Sequence, residues 1–227
     1  MEFILDNPQT EATFQDILKQ IKRMKNGVAA DAMSDKGLTY KMNWGVSIIQ
    51  LRQLSKQYEK DHLLALKLWN KGWRETHILA TMLEDPKQIE ERQMDYWIKS
   101  IETTELIDQA IFNLYAYTKF AFVKAMEYCC GKKFLVNYAG LQLITRLARI
   151  DDKAINEMFE VFFSKLFALA KDARLHQVFY NMMLALSSRN EEMKAACIAF
   201  LHELELEEEP QAQHIAQLLL EDITIAD

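Results

Sequence analysis

Three carboxylates and two threonines lie together in the segment "ETTELID", residues 102–108, just ahead of a long apolar run. A carboxylate stabilises developing positive charge and orients an attacking water, so the segment could border an active site. The same residue types also begin helices. Thr103 or Thr104 can serve as the N-cap, which would put Glu105 and Asp108 in a first turn where they complement the helix dipole. We favour the helix start.

No residue pattern predicts metal or nucleophile chemistry. The five histidines show no ligand spacing, and the sequence holds no Ser-His-Asp pattern, phosphate-binding glycine loop or HExxH motif. Cys129 and Cys130 are adjacent and Cys197 is distant, which gives neither a disulfide framework nor a CxxC pair for zinc. We therefore expect no metal, no cofactor and an unreactive, buried Cys129 thiol.

The composition predicts a nearly all-helical protein. The 227 residues are 50% hydrophobic and include only 6 glycines and 3 prolines. Apolar residues recur at spacings of three and four, as at Ile48, Leu51, Leu54 and Tyr58. Each proline follows Asn7, Asp85 or Glu209, and we expect each to open a helix.

The spacing of these elements predicts the architecture. We expect breaks at Gly27, Gly37, Gly45, Gly72 and Gly131. Helices are predicted over 8–25, 28–34, 46–58, 61–71, 73–83, 86–99, 103–118, 120–130, 134–150, 153–169, 173–187, 190–206 and 211–223. Short connections predict antiparallel pairs, and therefore an all-α, HEAT- or armadillo-like superhelix forming a single domain over 1–227. An irregular helical bundle is the alternative.

The charge is uneven along the chain. The total is −6, but residues 1–80 carry +3, residues 81–150 carry 0 and residues 151–227 carry −9. Any polyanion site is therefore expected in the first two thirds. The N-terminal "MEFILDNPQT" lacks the features of a signal peptide, and no stretch is long and apolar enough for a membrane helix. With the cysteine pattern, this predicts a reduced, cytoplasmic protein that contacts no membrane.

Three segments resemble the AlkD-like DNA alkylation repair family. "NWGVSIIQLRQLSKQY" (43–58) resembles its Gly-Val…Leu-Arg-x-Leu-Ala-Lys helix, and "LLALKLWNKGWRETHILATMLEDP" (63–86) resembles the two helices that follow. "MDYWIKSIETTELIDQ" (94–109) resembles the family segment with a Trp, a short spacer and a Trp-Asp-x-x-x-Asp element. The resemblance covers about 10–205 and is strongest over 43–110.

The resemblance implies a C-shaped stack of HEAT-like helical pairs whose concave face cradles duplex DNA. Active members release N3- or N7-alkylated purines by cleaving the glycosidic bond, without a metal and without flipping the base into a deep pocket. An Asp assists the chemistry, two Trp line the cleft and an Arg contacts the backbone. Loss of the cationic purine leaves an oxocarbenium-like sugar, which a carboxylate stabilises.

This sequence keeps one of the four pocket parts. On the match, Asp108 takes the position of the catalytic Asp. The first Trp is replaced by Thr104, the Arg falls near Tyr138, and the second Trp falls near Leu184. A nearby family Arg becomes Ser187. The resemblance therefore implies a DNA-binding protein with weak or no base-excision activity.

Basic and aromatic side chains could contact DNA. The basic candidates form two groups: Lys56, Lys60, Lys67, Lys71 and Arg74, then Lys132, Lys133, Arg146 and Arg149. These could contact phosphates, although a solvated face explains them equally well. Packing is favoured for all four tryptophans. Trp44 and Trp73, each next to a glycine and basic residues, are the better candidates for exposed stacking.

Three functions remain open at this point. The first is a DNA-binding member of the family with weak or no excision. The second is an active alkylpurine glycosylase that uses Asp108. The third is a helical scaffold that binds a protein partner and has lost DNA binding, because a fold does not by itself determine function.

Overall fold

The computed structural model describes residues 7–225, and the regular secondary structure within that range is helical. The fourteen α-helices in the described chain are α1 (Pro8–Arg23), α2 (Gly27–Asp35), α3 (Ile48–Ser55), α4 (His62–Lys71), α5 (Arg74–Leu83), α6 (Glu91–Ser100), α7 (Thr104–Asn113), α8 (Ala121–Cys129), α9 (Phe134–Ile150), α10 (Glu157–Glu160), α11 (Phe163–Ala170), α12 (His176–Ser187), α13 (Glu191–Glu205) and α14 (Pro210–Ile225). Short 3-10 helices occupy Tyr115–Tyr117 and Ala173–Leu175. None of these helices has the length and apolar character to cross a bilayer. The first six residues of the "MEFILDNPQT" segment lie outside the described range.

The chain divides into two compact units, Met1–Thr118 and Lys119–Asp227. In the first unit α4 packs on α5 and on α1, and α5 packs on α3 and α7. In the second unit α8 packs on α9, α9 on α12, α12 on α13 and α13 on α14. Four of these packed pairs join helices that follow one another along the chain, namely α4–α5, α8–α9, α12–α13 and α13–α14, and the other four join helices further apart in sequence. The single domain over 1–227 stays a prediction.

The core of the first unit contains a stacked tryptophan pair. The rings of Trp69 and Trp97 lie 4.0 Å apart and parallel to within 1°. Both side chains are buried. These two tryptophans therefore serve packing, as expected from their positions on apolar stripes.

Two of the three prolines open helices as predicted. Pro8 begins α1 behind the Asn7 cap, and Pro210 begins α14. The prediction for Pro86 is wrong. The Asp85 carboxylate accepts a hydrogen bond from the Lys87 amide, and the Asp85 carbonyl accepts one from Ile89. These bonds close a local turn, and α6 begins only at Glu91.

Two long predicted helices are interrupted. Instead of one helix over 103–118, α7 ends at Asn113 and the 3-10 helix follows, because Tyr115 is buried with its hydroxyl bonded to the Met94 carbonyl. Instead of one helix over 153–169, α10 and α11 are separate. Phe159 and Phe162 are both buried at this break.

Close packing of α8 on α9 depends on Gly140. A Cβ at Gly140 would lie 2.7 Å from the amide nitrogen of Cys129 and 2.8 Å from its sulfur. Any larger residue would push the two helices apart. The Cys129 thiol is buried, as expected, and burial raises its pKa to about 12, which disfavours the reactive thiolate.

Candidate functional site

The segment "ETTELID" is a helix start. Thr103 is the N-cap of α7, and its hydroxyl accepts a hydrogen bond from the Leu106 amide at 3.4 Å. Glu105 lies in the first turn, as predicted. Asp108 lies in the second turn rather than the first, where its side chain is partly exposed.

Glu105 is the partner of a buried arginine. The Arg74 side chain is only 1% exposed, and its Nε and Nη2 donate to the two carboxylate oxygens of Glu105 at 2.8 and 2.5 Å. The Tyr40 hydroxyl donates to the same carboxylate. Burial opposes ionisation of Glu105, but these hydrogen bonds and the arginine charge outweigh it and hold its pKa below the usual value.

Arg74 and Glu75 together hold the loop that precedes α3. The buried Glu75 carboxylate accepts hydrogen bonds from the amides of Trp44 and Val46 and from Arg74 Nη1. Arg74 Nη1 also donates to the Val46 carbonyl at 2.9 Å. The prediction that Arg74 contacts DNA phosphates does not fit this placement, because its guanidinium is enclosed and committed to protein acceptors.

A small cavity of about 200 Å³ lies beside this network. Tyr40, Arg74, His77 and Thr103 line it, and Asp108 is not among its lining residues. Its volume is below the roughly 300 Å³ at which ligand pockets usually begin. The cavity therefore offers Asp108 no enclosed pocket for a purine.

His77 lies against the Trp69 ring, with ring centroids 4.5 Å apart, and burial lowers its pKa from 6.5 to about 4. As the pH falls, His77 is protonated in the unfolded chain near pH 6.5 but in the folded protein only near pH 4. The folded state therefore keeps its full stability above about pH 6.5 and loses stability as the pH falls towards 4. Between pH 7 and pH 5, we expect the free energy of unfolding to fall by about 1–2 kcal/mol less in His77→Gln than in wild type. Urea unfolding at both pH values measures this, and equal losses in both proteins would contradict it.

A second aromatic pair reaches the surface of the first unit. Trp44 and Trp73 are both partly exposed, and their ring centroids lie 5.3 Å apart at 60°. Lys71 Nζ lies 5.0 Å from the centroid of the Trp73 ring, and Lys22 Nζ lies 5.6 Å from it. We call Lys22, Lys71 and Trp73 the Trp73 cluster.

Sequence reasoning identified Lys71 and both tryptophans as candidates but missed Lys22. One signal was available: residues 19–25 hold four basic side chains and no acidic one. The contact itself depends on α1 packing against α4, which brings the last turns of the two helices to the same ring. The packing of α1 against α4 cannot be predicted from a local sequence pattern.

The rest of the first basic group does not form one stripe. Lys56 is exposed. Lys60 donates to the Glu84 carbonyl at 2.8 Å, and Lys67 forms an ion pair with Glu11 at 2.5 Å. Lys67 is therefore already neutralised within the protein, whereas Lys56 and Lys71 present their charges to solvent.

The second basic group lies in the second unit. Lys132 and Lys133 are exposed just before α9, while Arg146 is partly exposed and Arg149 exposed towards its end. Tyr138 is partly exposed, with its ring 6.1 Å from that of Phe134. Neither a disulfide nor a metal cluster occurs here, since the three cysteines are free and no acidic, His or Cys triad within residues 7–225 could hold an ion.

Arg149 and Leu184 line a common depression of about 730 Å³. Its other walls include Asp152, Glu157 and Glu192, so acidic groups line the same depression as the arginine.

Sequence reasoning also missed a structural residue here. Arg189 donates to the carbonyls of Ala148, Asp151 and Ala154 and so caps the end of α9.

Comparison with known proteins identifies the family. The model of the family described as DNA alkylation repair enzyme matches residues 7–161, more than half of the chain. The protein therefore belongs to the DNA alkylation repair enzyme family, which confirms the resemblance found in the sequence.

A solved structure shows the same fold. It is described as "a new family of proteins related to the HEAT-like repeat DNA glycosylases with affinity for branched DNA structures". It superposes with a TM-score of 0.72 at 16% identity and covers 92% of this chain and 94% of its own. The all-α, HEAT-like fold is thereby confirmed. No curated protein sequence matches the chain.

Proposed function

We propose that this protein binds DNA, prefers branched over plain duplex substrates, and has weak or no base-excision activity. The observation that carries the proposal is the family match over residues 7–161. It is supported by a structurally similar protein described as having affinity for branched DNA. The exposed charges of Lys56, Lys71, Lys132 and Lys133 supply phosphate contacts of the sequence-independent kind.

The residues at the predicted pocket positions argue against efficient excision. Thr104, Tyr138 and Leu184 supply neither the indole walls nor the guanidinium that the family resemblance implies. The strongly stabilised carboxylate of α7 is Glu105, and it is already neutralised by Arg74. Asp108 has the chemistry of a catalytic carboxylate, but with no indole or guanidinium at the other pocket positions it contributes little transition-state stabilisation.

The binding proposal is tested with labelled four-way junction, plain duplex and duplex carrying an abasic-site analogue, across a salt series. We expect the junction to bind most tightly and the affinity to fall steeply with salt, by about 0.9 logarithmic units per phosphate neutralised for each tenfold rise in salt. Absence of binding to all three at low salt would instead favour the scaffold that binds a protein partner.

Asp108→Asn tests the catalytic alternative. We expect the variant to bind the junction within about twofold of wild type, because one partly exposed carboxylate changes little of the local field. We also expect neither protein to release bases from alkylated duplex in single-turnover reactions. Release by wild type that disappears in Asp108→Asn would overturn this expectation and establish an alkylpurine glycosylase.

We further propose a cytoplasmic location, in keeping with three cysteines that are all free thiols.

A further inference from the structure

We infer that the Trp73 cluster binds an unpaired nucleotide, whose base stacks on the indole while its phosphate lies against Lys22 and Lys71. The inference rests on the proposed DNA binding and assigns it a specific contact in the first unit. The cluster contains none of the residues at the predicted pocket positions, which are Thr104, Asp108, Tyr138 and Leu184.

The Trp73 ring stands on a fixed backbone. Gly72 ends α4 in the left-handed conformation, and Trp73 directly precedes α5 as its N-cap. The Trp73 amide donates to the Thr76 hydroxyl at 3.1 Å, and that hydroxyl donates back to the Trp73 carbonyl at 3.1 Å. The next residue, Arg74, is anchored in the interior. A partly exposed aromatic ring on so rigid a turn is pre-organised for stacking.

Two positive charges converge on this one ring. Both ammonium groups lie within 6 Å of its centroid. Within the range 7–225, neither lysine forms an ion pair or a hydrogen bond to an acidic group. Lysines at the ends of α1 and α4 complement the helix dipoles, which explains why lysines stand there. Cation–π attraction holds each ammonium group near the ring, and the two together place positive charge beside the indole, where an anion can bind.

The combination selects a ligand with an aromatic face and a negative charge. An indole stacks with any nucleobase, and the adjacent ammonium groups suit the phosphate of the same nucleotide. A cationic ligand would be repelled by the lysines, and an acidic peptide would gain little from the ring. The base must be unpaired, because the faces of bases within a duplex are covered by their stacked neighbours.

At the branch point of branched DNA the stacking of the duplex is interrupted, so bases there expose their faces more readily than bases within a continuous duplex. This chemistry gives a reason for a preference over plain duplex that charge alone does not, since phosphates are present equally in both. Single-stranded DNA should satisfy the cluster as well, so the contact itself can be tested without a branch.

The test uses the full chain and DNA carrying 2-aminopurine, whose fluorescence is quenched by stacking, at an unpaired bulge position. Three variants are compared: Trp73→Leu, which keeps an apolar side chain, Lys22→Gln/Lys71→Gln, and the control Lys87→Gln/Lys99→Gln. The control removes the same charge from two other exposed lysines of the first unit. Thermal unfolding of each variant establishes that it is folded.

We expect wild type to quench the probe and to bind bulged DNA about tenfold more tightly than Trp73→Leu, which should quench less. Lys22→Gln/Lys71→Gln should lower the affinity and reduce the slope of log K against log salt by about 0.7, the value for one phosphate of unpaired DNA, whereas the control should change the slope less. Binding and quenching unchanged in Trp73→Leu would overturn this inference and leave DNA binding intact. The inference would also be overturned if Lys22→Gln/Lys71→Gln lost no more affinity for bulged DNA than the control variant. No binding by wild type would instead remove the proposed function.

Discussion

Replacing Glu105 by Ala is expected to lower the free energy of unfolding by about 3 kcal/mol, because it removes the carboxylate that binds the buried Arg74 guanidinium through two hydrogen bonds and leaves Glu75 as its carboxylate partner. Arg74 is 1% exposed and loses two charge-assisted hydrogen bonds in this variant. Urea unfolding at pH 7 measures the change, with the slope against urea checked for an altered unfolded state.

Asp108→Ala is the matched control, since it removes the same charge from the same helix three residues further on. Its side chain is partly exposed, so we expect a loss of no more than about 1 kcal/mol. Equal losses in the two variants would show that the Arg74–Glu105 pair has no special role in stability.

Acidification provides a corollary for the same pair. The folded state holds the pKa of Glu105 below its value of 4.5 in the unfolded chain. The stabilisation is therefore fully present well above pH 4.5 and is lost as the pH falls through the lower, folded pKa. Glu105→Gln should start less stable than wild type at pH 7 and lose less stability between pH 7 and pH 3.

The acidic segment shows what sequence alone can and cannot decide. A helix start at Thr103 follows from residue types within a few positions, and the structure has it. The role of Glu105 depends on Arg74, 31 residues earlier, and on burial created by several helices. A charge pattern gives the sign of a group but not its exposure. For this reason Arg74 was predicted among the DNA contacts although it lies inside.

The same limit applies to the interrupted helices and to the Trp73 cluster. Periodicity predicts helices wherever apolar residues recur, but the break after Asn113 is set by where the Tyr115 hydroxyl finds an acceptor. Similarly, Lys22 reaches Trp73 only because α1 and α4 pack together. Fold class and family follow from local patterns summed over the chain, whereas a site assembled from distant turns requires coordinates.

The network around Arg74 also supports the proposed nucleotide site. Glu75 and Arg74 hold the loop that carries Trp44. Glu75 accepts hydrogen bonds from the amides of Trp44 and Val46, and Arg74 donates one to the Val46 carbonyl. Trp44 in turn packs against Trp73. The buried Arg74 and Glu75 therefore fix the position of the aromatic pair, and Lys22 and Lys71 place positive charge beside the Trp73 ring. The same buried hydrogen bonds therefore stabilise this part of the fold and hold the Trp73 ring in place.

Gly45 is the position at which this loop should be least tolerant of change. Its φ is +70°, and a Cβ there would lie 1.9 Å from the carbonyl oxygen of Asn26, which is backbone and has no room to move. We expect Gly45→Ala to lower the free energy of unfolding by at least about 4 kcal/mol, or to displace the loop. Urea unfolding measures the first outcome, and weaker quenching of the 2-aminopurine probe reports the second.

Gly37→Ala separates the clash from the backbone strain. Gly37 has a φ of +81°, but a Cβ there would meet nothing within 4 Å, so only the left-handed conformation carries a cost, about 1 kcal/mol. The difference between the two alanine variants is the contribution of close contact between the loop and the start of α2. If Gly45→Ala cost no more than Gly37→Ala, the loop would be free to shift, and a rigidly placed aromatic pair would no longer explain nucleotide binding at Trp73.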